Sequence, residues 1–154
     1  MLFRSEMLSR YGSMPLPRLL EPSIRLAESG IIISRRQSDT MLEARADFLR
    51  FPSSRRYFLK ENGDVYRDGE ILVQNDLAKT LKILQKEGEK AFYKGEIAKA
   101  MVSQIRQNGG ILSMKDLADY KVVWREPVRG EYRGYEIYSM PPPSSGGIDI
   151  FKTS

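Results

Sequence analysis

Three consecutive prolines, Pro141 to Pro143, constrain the fold of this chain more than any other stretch. Residues 135 to 140 before them can alternate between two faces, as a β-strand does. Proline donates no backbone hydrogen bond and disfavours helix in the residue before it, so the strand has to end here. Ser144 and Ser145 are good N-cap residues, and the apolar run 148–151 predicts a helix opening. A strand, a rigid proline segment and the first turn of a helix are typical of the middle of a larger molecule.

The composition is that of a soluble globular domain, with 41% hydrophobic and 29% charged residues in 154. Cysteine and histidine are both absent. Disulfides, thiol nucleophiles, zinc sites of cysteine or histidine, and a histidine general base are therefore excluded. No stretch has the length of a membrane-spanning helix and no export signal is visible, so the sequence leaves the compartment unknown.

The net charge of +5 comes entirely from the N-terminal part. Residues 1–60 carry eleven basic and six acidic residues, whereas residues 61–154 carry fourteen of each. A nucleic-acid interface would use Arg35-Arg36 and Arg55-Arg56 for phosphates, but no binding motif accompanies them. The favoured interpretation is that these arginines lie on exposed helix surfaces, or on surfaces that meet acidic parts of a partner segment. No nucleic-acid partner is predicted.

Apolar periodicity predicts one unit that is helical first and β-rich late, after an irregular lead-in over residues 1–14. Pro22 falls inside the first helix, either in the first turn of a helix that starts near Glu21 or as a kink. The predicted helices cover residues 16–29, Ser38-Asp39-Thr40 to Phe48 or Leu49, Asn75 or Asp76 to Gly88, 91–93, Ile97 to a stop at Asn108-Gly109-Gly110, and a short segment after Ser113. The predicted strands are Ile31–Ile33, which could also be an apolar plug, a small excursion at 65–67 between two glycine turns, 122–124, and 131–140 after a turn at Arg129-Gly130.

Side chains that could carry chemistry do not form a complete site. Ser144 and Ser145 before two glycines resemble a nucleophile loop or a phosphate-binding loop. However, the sequence contains neither G-x-S-x-G nor G-x-x-x-x-G-K-[ST], so helix capping and close packing are the favoured roles. Asp116 and Asp119 would share a helix face without a neighbour that separates their pKa values, so they are interpreted as helix polarity. The remaining candidates are Asp64, Asp68 and Glu70, which fit turns better than a calcium loop, and Trp124 with the tyrosines at 120, 132, 135 and 138, which fit core and sheet edge better than a stacking platform.

Five blocks in order resemble the gamma-glutamyltransferase family, also called gamma-glutamyltranspeptidase. They cover roughly residues 11–150. The blocks are Leu20-Glu21-Pro22-Ser23-Ile24 to Gly30, Leu72-Val73-Gln74-Asn75-Asp76-Leu77, Gly88 with Ala91-Phe92-Tyr93-Lys94-Gly95, Asn108-Gly109-Gly110 with Asp116 to Tyr120, and Tyr132-Arg133-Gly134-Tyr135 with the segment PPPSSGG.

The resemblance implies an α+β chain, a helix-rich and incomplete segment of the four-layer αββα N-terminal nucleophile (Ntn) hydrolase fold. Residues 15–154 would be a partial large-chain domain. Members of the family are transferases and hydrolases of glutathione metabolism. A precursor cleaves itself into a large and a small chain, and the N-terminal threonine of the small chain attacks the gamma-glutamyl amide. Such a threonine uses its own α-amine as base, so histidine is not required.

The family's nucleophile lies in a Thr-Thr-His motif, which none of Thr40, Thr80 and Thr153 matches. Arg125-Glu126 belongs to a different block from the family's arginine for the donor carboxylate. No catalytic, substrate-binding or metal residue is therefore assigned, and no cofactor is expected. The chain is predicted to be an inactive part of such an enzyme, with the small chain as partner and gamma-glutamyl donors such as glutathione for the whole. The alternative is a non-catalytic scaffold or interaction protein derived from the fold. The family is often exported to the periplasm, the cell surface or the medium.

Overall fold

The computed structural model describes residues 2–147 and residue 149. It divides into unit 1, Met1–Tyr120, and unit 2, Lys121–Ser154, rather than one unit. No described helix is long and apolar enough to cross a membrane. The helices are α1 Leu2–Tyr11, α2 Leu16–Ser29, α3 Arg35–Glu43, α4 Arg45–Arg50, α5 Pro52–Phe58, α6 Asn75–Glu87, α7 Glu89–Tyr93, α8 Glu96–Gln107 and α9 Met114–Asp119. The strands are β1 Ile31–Ile32, β2 Ile71–Leu72, β3 Val128–Tyr132 and β4 Tyr135–Ser139.

The start of the chain is helical, so the irregular lead-in predicted for residues 1–14 is wrong. Helix α1 has a salt bridge of 2.9 Å between Arg10 and Glu6, one turn apart. Helix α2 runs unbroken through Pro22 and buries Ile24 and Ala27 where it packs on α6. The predicted helix over residues 16–29 is confirmed, and the start near Glu21 is not what the chain adopts.

A small antiparallel ribbon follows α2. Helix α2 ends at Gly30, whose N–H donates to the Leu26 carbonyl at 2.9 Å. In the ribbon, Ile31 is paired with Leu72, and Ile32 with Ile71. One face of the ribbon is buried, with Leu72 at 4% exposure. The strand interpretation of this β-branched run is therefore confirmed.

Helix α3 begins at Arg35 and not at the predicted cap of residues 38–40. The Ser34 side chain accepts from the backbone of Gln37, and the Gln37 side chain accepts from the Ser34 backbone. This reciprocal pair is a capping box, which satisfies two backbone N–H groups at the helix start. Ser38 lies buried within the helix, and the predicted single helix is divided into α3 and α4.

The two glycine turns are confirmed. Gly63 and Gly69 have φ angles of +81° and +83°. Leu59 forms an isolated antiparallel bridge with Val65, which is fully buried.

Helix α6 has Gln74 as its N-cap residue, without a side-chain hydrogen bond, so the predicted caps Asn75 and Asp76 are one or two positions late. Its buried residues are Ala78 and Leu84, whereas Leu77 is 45% exposed. Helices α7 and α8 occur where the periodicity predicts them. Ser113 caps α9 in a capping box with Asp116, as expected.

The described part of unit 2 contains a hairpin whose turn differs from the prediction. Strands β3 and β4 pair antiparallel, with Val128 opposite Ser139 and Tyr132 opposite Tyr135. The turn is Arg133-Gly134, with φ angles of +51° and +81°, whereas the predicted turn Arg129-Gly130 lies inside β3. Residues 122–124 are not a strand.

Beyond the prolines, the N–H of Asp149 donates to the Ser145 carbonyl at 3.0 Å, which is the hydrogen bond of a helical turn. The predicted helix opening at 148–151 lies mostly outside the described residues. Gly147 is buried, and a Cβ placed on it would lie 2.2 Å from the Met140 carbonyl oxygen. This glycine therefore lets the chain return closely to the end of β4.

Candidate functional site

The serine pair after the prolines lies on the surface of unit 2. Both serines are exposed, and the Ser144 backbone N–H donates to the Pro141 carbonyl at 3.2 Å. No histidine exists in the sequence to activate either hydroxyl. The segment therefore shapes a tight chain reversal, and nothing in its geometry makes either serine a nucleophile.

The hydroxyl groups of the threonines in the described part of the chain form hydrogen bonds within their own helices. The hydroxyl of Thr40 donates to the Arg36 carbonyl at 3.0 Å, and the hydroxyl of Thr80 donates to the Asp76 carbonyl at 3.0 Å. Such bonds within a helix turn satisfy the hydroxyl locally. Thr153 lies outside the described residues. Neither described threonine is placed as a nucleophile.

The two aspartates on α9 have separate partners. Asp116 accepts from the Ser113 hydroxyl at 2.7 Å and from its backbone N–H at 2.8 Å. The pKa of Asp116 is lowered, first by the side-chain hydrogen bond from Ser113 and then by the backbone one. Asp119 forms an ion pair with Lys115. Each carboxylate therefore has its own helix-stabilising contact, and the two aspartates do not form an acid–base pair.

The acidic residues around the glycine turns do not form a common metal-binding cluster. The Asp64 carboxylate accepts from the side-chain amide N–H of Asn62 at 3.1 Å, and the Arg45 guanidinium lies 3.9 Å from it. Glu70 accepts from the Arg67 backbone at 2.7 Å and from Lys60 at 2.9 Å. These two contacts, the backbone one first, lower the pKa of Glu70. Within the described residues, no three His, Cys, Asp or Glu side chains could hold a metal ion.

The aromatic residues of the late segment are exposed, so a core role within this chain is wrong for them. Tyr135 is 75% exposed, and Tyr120, Trp124, Tyr132 and Tyr138 range from 43% to 54%. The sheet-edge interpretation suits the hairpin, in which three of these tyrosines lie. Arginine side chains cover two of the rings, Arg129 at 5.2 Å from the centre of Tyr138 and Arg133 at 5.1 Å from that of Tyr132. In unit 1, Tyr120 stacks on Tyr93 with ring centres 5.8 Å apart.

An apolar groove of about 820 Å³ in unit 1 was not predicted from the sequence. It lies where α1 meets α2, α6 and α7, and its polar groups are Arg4, Ser5 and Tyr11. The apolar positions of α1 do not form an obvious stripe, which explains why this groove could not be predicted from the sequence. The groove contains no paired nucleophile and base. Its apolar lining consists of Met7, Leu8, Gly12, Leu16, Leu19, Leu20, Leu84 and Phe92.

The fold and these segments match known proteins over most of the chain. A family profile described as gamma-glutamyltranspeptidase matches residues 4–153. The chain is 42% identical over 144 residues to the glutathione hydrolase proenzyme of Escherichia coli, covering 93% of this chain and 25% of that protein. It is 39% identical over 145 residues to an acylase ACY 1 proenzyme of a Pseudomonas strain, with 94% and 26% covered.

The structure superimposes on Helicobacter pylori gamma-glutamyltranspeptidase with a TM-score of 0.90 and 48% identity, covering 96% of this chain and 42% of that one. The chain is therefore a helix-rich α+β portion of an N-terminal nucleophile hydrolase fold. It belongs to the gamma-glutamyltranspeptidase family. The chain spans about a quarter of the length of the curated relatives named above.

Proposed function

We propose that this chain is a scaffold portion of the large chain of an enzyme that transfers or hydrolyses gamma-glutamyl groups. The observation that carries the proposal is the TM-score of 0.90 with H. pylori gamma-glutamyltranspeptidase over 96% of this chain. The attacking threonine belongs to the small chain of the same enzyme. That chain is the partner that the proposal requires, and the relatives' names as proenzymes support it.

The hairpin of unit 2 supports a scaffold role. Strands β3 and β4 form a two-stranded sheet, and neither pairs with a third strand in the described part of the chain. An isolated two-stranded hairpin is at best marginally stable in water. The tyrosine-bearing face, with Tyr132 and Tyr135 at the turn, remains largely exposed. Further strands of the enzyme would pair with the hairpin edges and cover these rings.

The chemistry of the whole enzyme follows from its proposed nucleophile. The threonine hydroxyl adds to the gamma-glutamyl carbonyl while the α-amine takes its proton, and the amine of the donor leaves. Water or an amino acid then resolves the acyl-enzyme. This segment does not set the donor, because glutathione hydrolases, acylases and a capsule biosynthesis protein match it with similar identity, from 37% to 42%. Glutathione is the proposed donor because several of these relatives are glutathione hydrolases.

Hydrolysis of a chromogenic gamma-glutamyl anilide tests the proposal. This chain would replace the matching segment of the E. coli glutathione hydrolase, and the chimera would be compared with the chain alone. We expect hydrolysis by the chimera and none by the chain alone, because the nucleophile comes from the small chain. Competition by glutathione tests the donor separately. Hydrolysis by the chain alone would refute the scaffold role, since it would require a nucleophile within these residues.

A further inference from the structure

The excess positive charge of the chain is concentrated in its α3–α5 region. Residues 35–60 contain seven basic and three acidic residues, so they supply +4 of the net charge of +5. Arg55 has no ion-pair partner among the described residues. Arg50 lies 3.6 Å from Asp47, but both side chains are more than 70% exposed, so this pair is weak. Arg45, Arg56 and Lys60 of this region form ion pairs with acidic residues outside it. Within α4 and α5, the positive charge without a close partner is therefore that of Arg55 and, largely, that of Arg50.

Helices α4 and α5 enclose a hollow of about 490 Å³, defined here as the α4–α5 hollow. Its cationic side chains include Arg50, Arg55 and Arg56, of which Arg56 is paired with Asp76 at 2.8 Å. Its apolar lining includes Leu49 and Pro52. The hollow also meets one acidic residue, Glu61, and a lysine whose charge is paired elsewhere, Lys60 with Glu70 at 2.9 Å.

We infer that the α4–α5 hollow is an interaction surface for an acidic polypeptide segment that also carries apolar side chains. Arginine forms bidentate hydrogen bonds with carboxylates, and the guanidinium groups of Arg50 and Arg55 are available for them. An aliphatic side chain of the partner would lie against Leu49 and Pro52. Arginine and aromatic residues are enriched in protein interfaces, and Phe51 beside the hollow is 54% exposed.

Nucleic acid fits the same surface less well. Non-specific binding to single strands depends on stacking of bases on open aromatic faces. The two exposed rings nearest the hollow are covered by arginine, with Arg50 at 5.8 Å from the centre of Phe51 and Arg56 at 5.6 Å from that of Tyr57. A membrane surface also fits less well, because an interfacial helix presents a long apolar face, whereas α4 and α5 have six and seven residues.

Fluorescence anisotropy with a dye-labelled peptide of repeated Glu-Glu-Leu tests the inference on the full chain. Saturable binding is expected for this peptide, and much weaker binding for a repeated Gln-Gln-Leu peptide. The double variant Arg50→Gln/Arg55→Gln should bind the acidic peptide about tenfold more weakly, since two charge-assisted contacts are lost. The matched control, Arg18→Gln/Arg25→Gln, removes the same charge from exposed positions of α2 and should stay within about twofold.

The single variant Arg55→Gln provides a second measurement, because this side chain has no ion pair in the described structure whose loss could unfold the chain. An unchanged circular dichroism spectrum would verify the fold of each variant. Equal losses in the α4–α5 variants and in the α2 control would overturn the inference, since the binding would then follow net charge alone. Absence of saturable binding to the acidic peptide would also overturn it, as would tighter binding to duplex DNA or to phosphatidylglycerol vesicles.

Discussion

The end of α2 provides the sharpest test of the packing in unit 1. Gly30 and Gly88 terminate α2 and α6 in the same way, since each backbone N–H donates at 2.9 Å to a leucine carbonyl one turn earlier. Their backbones have φ angles of +87° and +64° with extended ψ angles of 163° and −149°. The surroundings differ. A Cβ at Gly30 would lie 2.3 Å from Cγ2 of Ile71 and 3.1 Å from the Leu72 carbonyl oxygen, whereas a Cβ at Gly88 meets nothing within 4 Å.

Replacement of each glycine by alanine separates backbone strain from packing. Gly88→Ala should lower the free energy of unfolding by about 1–3 kcal/mol, the usual effect of a side chain in a backbone region reserved for glycine. Gly30→Ala carries the same strain and also displaces the ribbon strand β2, which adds about 1–3 kcal/mol. Urea unfolding followed by far-ultraviolet circular dichroism measures both losses. Equal losses, within about 0.5 kcal/mol, would refute the packing of Gly30 against β2.

The remaining predictions concern unit 2, a helix cap and the acid stability of a turn. Gly147→Ala should destabilise unit 2 by about 1–3 kcal/mol, because its Cβ would lie 2.2 Å from the Met140 carbonyl oxygen, while Gly146→Ala, with Ser144 Oγ at 3.8 Å, should be nearly neutral. Fluorescence of Trp124, the one tryptophan, would monitor both variants, and similar losses would contradict the close approach. Ser113→Ala should cost about 1 kcal/mol by loss of the α9 capping box, which urea unfolding would detect, whereas a neutral effect would count against the cap. The pKa of Glu70 is lowered by the Arg67 backbone and by Lys60, so its contribution to stability is present above its unfolded pKa and lost as the pH falls through the folded one. Glu70→Gln should therefore reduce the loss of stability on acidification through and below the ordinary range of a carboxyl pKa, and an unchanged pH dependence would argue against these contacts.

Elements with a clear apolar period could be predicted from the sequence. Helices α2 and α8 were predicted because their apolar residues recur at helical spacing and a glycine follows each. The start of α3 was predicted wrongly, although the sequence carries the signal in Ser34 and Gln37, three residues apart. The prediction considered only residues 38–40 as the cap, and the spacing of Ser34 to Gln37 was overlooked.

The position of the hairpin turn in unit 2 could not be predicted from the sequence. Arg129-Gly130 and Arg133-Gly134 are the same dipeptide, and both are flanked by residues that suit strands. The turn forms at the second, where Arg133 adopts a positive φ that non-glycine residues seldom take. The resulting register places Tyr132 opposite Tyr135, and such cross-strand pairs are determined by the partner strand and not by local propensity. Helix α1 could not be predicted from periodicity, because its apolar residues do not form one face.

Among the residues considered in the sequence, Ser113 was correctly predicted as a helix cap. The capping role of Ser113 and Asp116 follows from their spacing of three, which the sequence shows directly. The exposure of the late aromatic residues could not be predicted, because aromatic residues in strands are usually buried by a partner layer. The α4–α5 hollow was not predicted as a site, since charge clustering in the sequence does not reveal which side chains line a common cavity.

Self-cleavage of the chimeric proenzyme tests the central claim most directly, because it requires a correctly assembled fold and no substrate. The matching segment of the E. coli glutathione hydrolase would be replaced by this chain. A benchmark chimera would carry the corresponding segment of the Bacillus subtilis enzyme, to which this chain is 40% identical. If this chain is a large-chain scaffold, gel electrophoresis should show both precursors converted into two chains. Conversion of the benchmark alone would contradict the account.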